Sequence, residues 1–277
     1  MRSLSELRSL SELDYGLWRS IARLYAQDPL THAYLLYDLV YELDRTDAWF
    51  EVSEGEVAGY ALVWRGPREA GVHLWGRLED PAAYVPGLES IIMVHSEGLL
   101  GPLLASLKGR GSARVEWYLD MVADESTFRP IGAERAVRLN ARDEQHVESF
   151  LRLSRARGLS LSAEEARGLL ARRRYYGVFE GEELVSVACA YLRLPEVWIV
   201  GDVYTLPEHR GRGHAKAVTS AVTRDAVASG ARALLHVSEA NEPALRVYSA
   251  LGYRTASRKP WVFFNPSRSG LHGLTAL

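Results

Sequence analysis

Val203-Tyr-Thr-Leu-Pro-Glu-His-Arg-Gly-Arg-Gly-His-Ala215 is the stretch on which the reading of this chain turns. It follows an apolar run and precedes a long amphipathic one, so it reads as strand, short basic glycine turn and helix start. The first N–H groups of a helix have no intrahelical acceptor, and the helix dipole adds partial positive charge at the same end. Gly211 and Gly213 remove the side chains that would hold a ligand off the backbone, while Arg210 and Arg212 contribute charge. Such a junction is expected to cradle a pyrophosphate.

The surrounding pattern alternates strands and helices. Downstream, Val218, Ala221, Val222 and Ala226 share one helical face, and Gly230 closes the helix. Leu234–Val237 reads as a buried strand, Asn241–Leu251 as a helix ended by Gly252, and Tyr253–Phe264 as a returning strand. Upstream, Val137–Leu139 reads as a short strand. Asp143 can cap a helix carrying Val147, Phe150, Leu151 and Ser154, and Glu164–Arg174 forms a second helical segment. Tyr175–Glu180 and Leu184–Leu194 make a hairpin around Glu180-Gly-Glu-Glu183, and Trp198–Leu206 is the strand that enters the glycine turn. The Arg172-Arg173-Arg174 run reads as the exposed end of a helix, where positive charge suits the dipole.

Within this pattern, Arg210-x-x-Gly213-x-Ala215 resembles the (Gln/Arg)-x-x-Gly-x-(Gly/Ala) signature of the GNAT superfamily of N-acetyltransferases. The second element of that family follows at the expected distance, as Asn241-x-x-Ala244-x-x-x-Tyr248-x-x-x-Gly252-Tyr253. The resemblance covers roughly residues 134–265, and Val203-Tyr-Thr205 before the proline is similar to the glycine-N-acyltransferase-like branch. It implies acetyl-CoA as cofactor, with the pyrophosphate on the backbone of Arg210, Gly211, Arg212, Gly213, His214 and Ala215. It further implies that Val203, Tyr204 and Thr205 pair with the pantetheine arm like an added strand. The strands Ile199–Thr205 and Leu234–Val237 are then expected to splay and leave room for the thioester.

Family precedent gives Tyr248 the task of protonating the leaving thiolate, which an ordinary phenol can do as the tetrahedral intermediate collapses. Asn241 is either a cofactor contact or an N-cap, with Pro243 in the first turn. An amine acceptor must lose a proton before it attacks. The ionisable residues nearest the turn are Asp202 on the entering strand and His236 on the next, and both stand as candidate bases beside the alternative that neither serves. Strand alternation leaves the face of Asp202 open, because a bulge would reverse it. Glu208 and His209 read as solvated.

The N-terminal half reads as a worn copy of the same fold. Two helical segments broken at Asp28-Pro29 carry Leu17, Ile21, Leu24 and Tyr25, then Leu35, Leu36, Leu39, Val40 and Leu43. Strands follow at 48–53 and 57–64 around Ser53-Glu-Gly-Glu56, then at 71–75, 90–95 and 113–122, with a short helix across 97–108. Ser96-Glu-Gly-Leu-Leu-Gly-Pro102 stands for the basic glycine turn but carries an acid and no arginine, so this half is not expected to bind acetyl-CoA. Shaping the acceptor pocket, forming a homodimer and covering a sheet edge are the roles open to it. Trp18, Tyr25, Tyr34, Tyr37 and Tyr41 read as core. The polar segment 123–132 marks the boundary, giving domains over 1–130 and 131–277.

Composition narrows the function. The 277 residues are 47% apolar, enough for a sizeable core, and a net charge of −2 provides no field for nucleic acid or anionic membrane. No apolar run reaches membrane-spanning length, and Cys189 is alone in an apolar strand, so a soluble cytoplasmic protein without a disulfide is expected. The eight histidines are scattered, which predicts no metal site. The expected fold is α/β, a tandem GNAT-like arrangement of mixed sheets flanked by helices. The expected function is transfer of an acetyl group from acetyl-CoA to a primary amine, on a small molecule or a protein or peptide. Two alternatives stand beside it: a non-catalytic acyl-CoA sensor, and a nucleotide-binding module. Neither the Gly-x-x-x-x-Gly-Lys-Ser/Thr nor the Gly-x-Gly-x-x-Gly pattern is present to support the latter.

Overall fold

The computed structural model describes residues 6–66 and 69–267. The chain divides into two compact units, one built from residues 1–118 and 258–277 and the other from 119–257. The division falls within two long strands, β6 (Gly111–Ala123) and β12 (Arg254–Pro266), each of which gives one end to each unit.

In the first unit, strands β1 (Glu6–Ser9), β2 (Thr46–Ser53), β3 (Glu56–Arg65), β4 (Ala70–Gly76) and β5 (Ser90–Val94) lie in chain order, with β12 beyond β5. Helices α1 (Tyr15–Gln27) and α2 (Pro29–Tyr41) meet at Asp28, whose carboxylate accepts from Thr31 N–H while Pro29 occupies the first helical turn. Strand β1 has no periodicity of its own and is absent from the sequence-based expectation. The turn between β2 and β3 places Glu54 at φ 57° and Gly55 at φ 80°, as a two-residue hairpin demands. Tyr25 is buried and Trp18 and Tyr34 pack on the core, but Tyr41 is 62% exposed, so that aromatic is not core.

The second unit orders its strands β6, β11 (Arg232–Ser238), β10 (Val197–Thr205), β9 (Glu183–Arg193), β8 (Arg174–Glu180), β7 (Val137–Arg138). The hairpins are antiparallel, and β10 and β11 are parallel. Helix α4 (Glu144–Ala156) starts at Asp143, which accepts from His146 N–H, and α5 (Ala163–Arg172) starts with a Ser162/Glu165 capping box. Helix α6 (His214–Ala228) packs on β8, β9, β10 and β11, and α7 (Glu242–Ala250) follows β11. The apolar pattern closes one core that holds Val218, Ala221 and Val222 of α6 together with Val185, Val187 and Ala188 of β9. Cys189 lies in that core with its thiol pushed up by burial, as its apolar strand implied.

The segment after β6 is part of this core rather than a bare connection. Ala133 and Ala136 are buried, and Arg129 N–H donates to Leu251 O at 2.9 Å. Gly252 has φ 89°, and a Cβ there would lie 1.9 Å from Thr127 O, so the residue ending α7 must be glycine.

Candidate functional site

Strand β10 carries the irregularity on which the site depends. Parallel pairing with β11 runs Val197↔Arg232, Trp198↔Ala233 and Ile199↔Leu234 and goes no further among the described residues. On the other edge, β10 stays paired to β9 as far as Thr205↔Ser186, with register shifts at Ile199/Val200 and Gly201/Tyr204. One strand thus holds its outer partner while losing its inner one, and the two parallel strands open beyond Ile199. Val203, Tyr204 and Thr205 lie on the opened length, with a backbone edge toward β11 that no ladder uses.

The opened strand leads into the glycine turn. A 3-10 turn over Pro207–His209 precedes Gly211 at φ 80° and Gly213 at φ 82°, and Gly213 is the N-cap of α6. A Cβ on Gly211 would meet nothing within 4 Å, and one on Gly213 only Arg135 Nη1 at 3.9 Å. The glycines are therefore required by their left-handed backbone, and the space above them is free for a ligand. The N–H groups of His214 and Ala215 begin the helix there, and a phosphate above Gly211–Gly213 would face them. Arg210 and Arg212 are exposed, the former donating through Nε to Thr205 O at 3.2 Å.

Beneath the turn lies a charge network that the sequence did not reveal. Glu180, at the tip of the β8–β9 hairpin, accepts from Arg212 at 2.7 Å, His209 Nδ1 at 2.9 Å and His214 Nε2 at 2.8 Å. These partners hold its carboxyl below the usual range against the opposing effect of desolvation. His214, 1% exposed, receives Arg135 Nη2 at its other nitrogen, 3.0 Å away. His209 is thus tied into the network rather than solvated, and two of the eight histidines, His209 and His214, meet at one carboxylate. The donor atoms of Glu180, His209 and His214 lie within 4.8 Å of one another, a spacing a metal could bridge. The proton arrangement is wrong for one. A guanidinium only donates, so His214 Nδ1 must accept and its proton sits on Nε2, the nitrogen that would have to ligate. The network orders the turn instead, and Arg135 adds a cation 3.9 Å from the Gly213 position.

The two candidate bases flank the opening in different states. Asp202 sits in the bulge at φ 52°, ion-paired with Arg157 and accepting from Tyr175 Oη at 2.7 Å. Both oxygens are engaged, one of them by a cation, so neither is left open toward the gap between the strands. His236, on the opened length of β11, binds Asp120 Oδ1 through Nδ1 at 2.6 Å, and Ser257 Oγ donates to the other Asp120 oxygen at 2.6 Å. A carboxylate only accepts, so Nδ1 carries the proton of that bond, and in a neutral ring the lone pair falls on Nε2, an atom buried in this structure. Asp120 was not legible, since β6 is more than a hundred residues from β11 in the chain.

Tyr248 is 8% exposed on α7, and burial pushes its phenol up to about 12. Its ring lies 6.0 Å from that of Tyr253, and its hydroxyl makes no hydrogen bond among the described residues. Asn241 is the N-cap of α7, its Oδ1 accepting from Ala244 N–H at 3.2 Å. Of the arginine run, only Arg172 is an exposed helix residue. Arg173 folds over the Tyr191 ring, and Arg174 opens β8 and pairs with Asp225.

The first unit shows no corresponding opening. Strands β4 and β5 stay paired from Ala70↔Ser90 to Leu74↔Val94, and His95 N–H continues the ladder to Leu74 O. The segment 96–102 leads into α3 (Leu100–Leu107) after β5, where Asn241 stands in the second unit. The equivalent of the glycine turn is therefore residues 77–89, which hold only a 3-10 turn, Pro81–Tyr84, in place of α6. A cavity of about 530 Å³ lined by Trp75, Gly76, Arg77, Ser96, Gly98 and Leu99 lies at the ends of these strands.

Residues 175–262 match the family model of FR47-like protein. No curated protein matches the sequence. Among solved structures, a Drosophila protein superposes with TM-score 0.68 at 15% identity, over 95% of this chain and 99% of its own. A GCN5-related N-acetyltransferase-like protein from Streptococcus suis gives TM-score 0.62 at 17% identity, over 89% of this chain and 98% of its own. A tandem GNAT protein from the clavulanic acid biosynthesis pathway gives TM-score 0.56 at 16% identity, over 95% of this chain and 100% of its own. Among the described residues no helix is long and apolar enough to cross a membrane. The chain thus has a fold similar to the tandem GNAT proteins, with an FR47-like domain over 175–262.

Proposed function

We propose that the protein is an acetyl-CoA-dependent N-acyltransferase whose catalytic apparatus lies in the second unit. The observation that carries this reading is the opening of β10 from β11 directly before the positive-φ glycine turn at the start of α6. The residues fit the cofactor: free space above Gly211 and Gly213, helix N–H groups beneath it, and Arg135, Arg210 and Arg212 around it. Acetyl-CoA, when bound, supplies an acyl group activated as a thioester.

The chain's own groups have separate tasks. The free edge of Val203–Thr205 aligns an extended arm by main-chain hydrogen bonds. His236 Nε2, oriented through Asp120, takes the proton of the incoming ammonium, and Asp202, neutralised by Arg157, serves structure and charge balance. Tyr248 holds a proton for the departing sulfur. Its raised pKa suits that task only in a dry site, where desolvation destabilises the thiolate as it does the phenolate. The Val203-Tyr-Thr205 sequence supports an acceptor class like that of the glycine-N-acyltransferase-like branch. The paired β4 and β5 support a non-catalytic role for the first unit, in shaping the acceptor site or in dimerisation.

Calorimetric titration with acetyl-CoA, beside a Gly213→Glu variant, tests the cradle. Binding by the wild type that the variant loses, followed by amine-dependent thiol release, is the expected result. A wild type that takes up no acetyl-CoA overturns the reading.

A further inference from the structure

Resting on that reading, we infer that Tyr191 sets the length of the donor's acyl group, admitting acetyl and excluding butyryl and longer chains. Tyr191 owes its position to a bulge in β9. Ile199 pairs with Leu192 and Val200 with Ala190, so Tyr191 is the extra residue between them. A bulge re-aims the side chain it carries, and here the ring reaches across to β10. A Cβ on Gly201 would meet Cδ2 of that ring at 2.9 Å and Cζ at 3.1 Å, so the ring edge takes the place of a side chain at 201. Gly201 does not have a positive φ; the ring, not the backbone, demands glycine there. Arg173 lies 4.6 Å over the same ring and fixes it by a cation–π contact.

The ring stands where the reacting end of the donor arrives. An arm that leaves the glycine turn and runs from Thr205 to Val203 points its far end at Gly201, and the gap closes at the Ile199↔Leu234 pair. Two strand residues separate Gly201 from that pair, a length of about 7 Å. Ile199 and Leu234 are 1% and 0% exposed, and Val200 between them and Gly201 belongs to the core, so the closed end gives a chain no exit. The other way out crosses Gly201 on the face it shares with Tyr175 and Cys189, and the Tyr191 ring lies across it. A two-carbon acyl group ends within the available length, whereas further methylenes drive the chain into the ring. A ring held at its edge by backbone and over its face by a guanidinium yields little to such a chain.

The test titrates the full chain with free coenzyme A, acetyl-CoA and butyryl-CoA by calorimetry, in the wild type, Tyr191→Phe and Tyr191→Ala. The wild type and Tyr191→Phe, which keeps the ring, are expected to bind butyryl-CoA at least about tenfold more weakly than acetyl-CoA, the scale on which a closed pocket rejects added methylenes. Tyr191→Ala is expected to reverse the order, each added methylene gaining up to about fourfold from burial. Free coenzyme A has no acyl group and reports whether a variant keeps its fold; where Tyr191→Ala fails to bind it, Tyr191→Leu is read instead. Equal affinity of the wild type for the two thioesters overturns this inference and leaves the acyl-transfer reading standing. So does a preference for acetyl that survives loss of the ring, or one that Tyr191→Phe already loses. A wild type that binds none of these ligands overturns the acyl-transfer reading, and this inference with it.

Discussion

His236 and Asp120 are joined by a 2.6 Å hydrogen bond between strands that lie more than a hundred positions apart in the chain. Ser257 donates to the second oxygen of the same carboxylate, so Asp120 is fixed from two sides and fixes the imidazole in turn. The bond matters for chemistry because it decides which ring nitrogen keeps its lone pair.

Asp120→Asn removes the charge that selects the tautomer. We expect kcat for thiol release to fall by about 10²-fold, the scale of general base catalysis, with KM for acetyl-CoA unchanged. A loss that appears in KM, or an unchanged kcat, would return the base role to Asp202 or to water.

Tyr248→Phe deletes a hydroxyl that bonds to nothing in the described structure. Thermal stability should be retained, because the ring and its packing near Tyr253 survive. Turnover should drop on the order of 10²-fold while acetyl-CoA affinity is kept. Equal turnover in both proteins would make Tyr248 a packing residue.

Arg135→Ala takes a cation from beside Gly213 and the donor from His214 Nδ1. Calorimetry should show acetyl-CoA bound about 5- to 20-fold more weakly, as loss of one charge-assisted contact implies. The deficit should shrink for ligands that lack the pyrophosphate. A uniform loss across such ligands would point to misfolding of the turn instead.

Asp38 gives the first unit a distinctive pH response. Burial, with Glu42 adding repulsion, pushes its carboxyl up to about 8, so the folded protein holds a proton that the unfolded chain releases above about pH 4. Stability from this group is lost as pH rises from about 4 to about 8. His32, lowered to about 4 by burial, acts oppositely up to about 6.5, where the unfolded imidazole stops taking protons. Between about pH 6.5 and 8 Asp38 is therefore no longer opposed by His32, and contributes a slope of up to about 1.4 kcal/mol per pH unit. Melting curves of the wild type should decline across that window, and Asp38→Asn should flatten them. An identical slope in the variant refutes the assignment.

Sequence alone determined what local patterning determines. The hairpin turns, the caps at Asp28 and Asp143, the core face of α6 and the glycine turn with its positive-φ positions are each written within a few consecutive residues. These are matters of backbone conformation and periodicity, and a chain meets those demands wherever its tertiary partners lie. Tertiary structure alone decided which charges meet. Glu180 and Arg135 converge on His214, Asp120 supports His236, Asp202 pairs with Arg157, and Arg173 folds over the Tyr191 ring. The same holds for β12, whose last residues return to the first unit, and for residues 77–89 standing where 96–102 was expected. Strand order and side-chain convergence depend on contacts between distant segments, which no local rule encodes, and a charge takes its function from the partner brought to it.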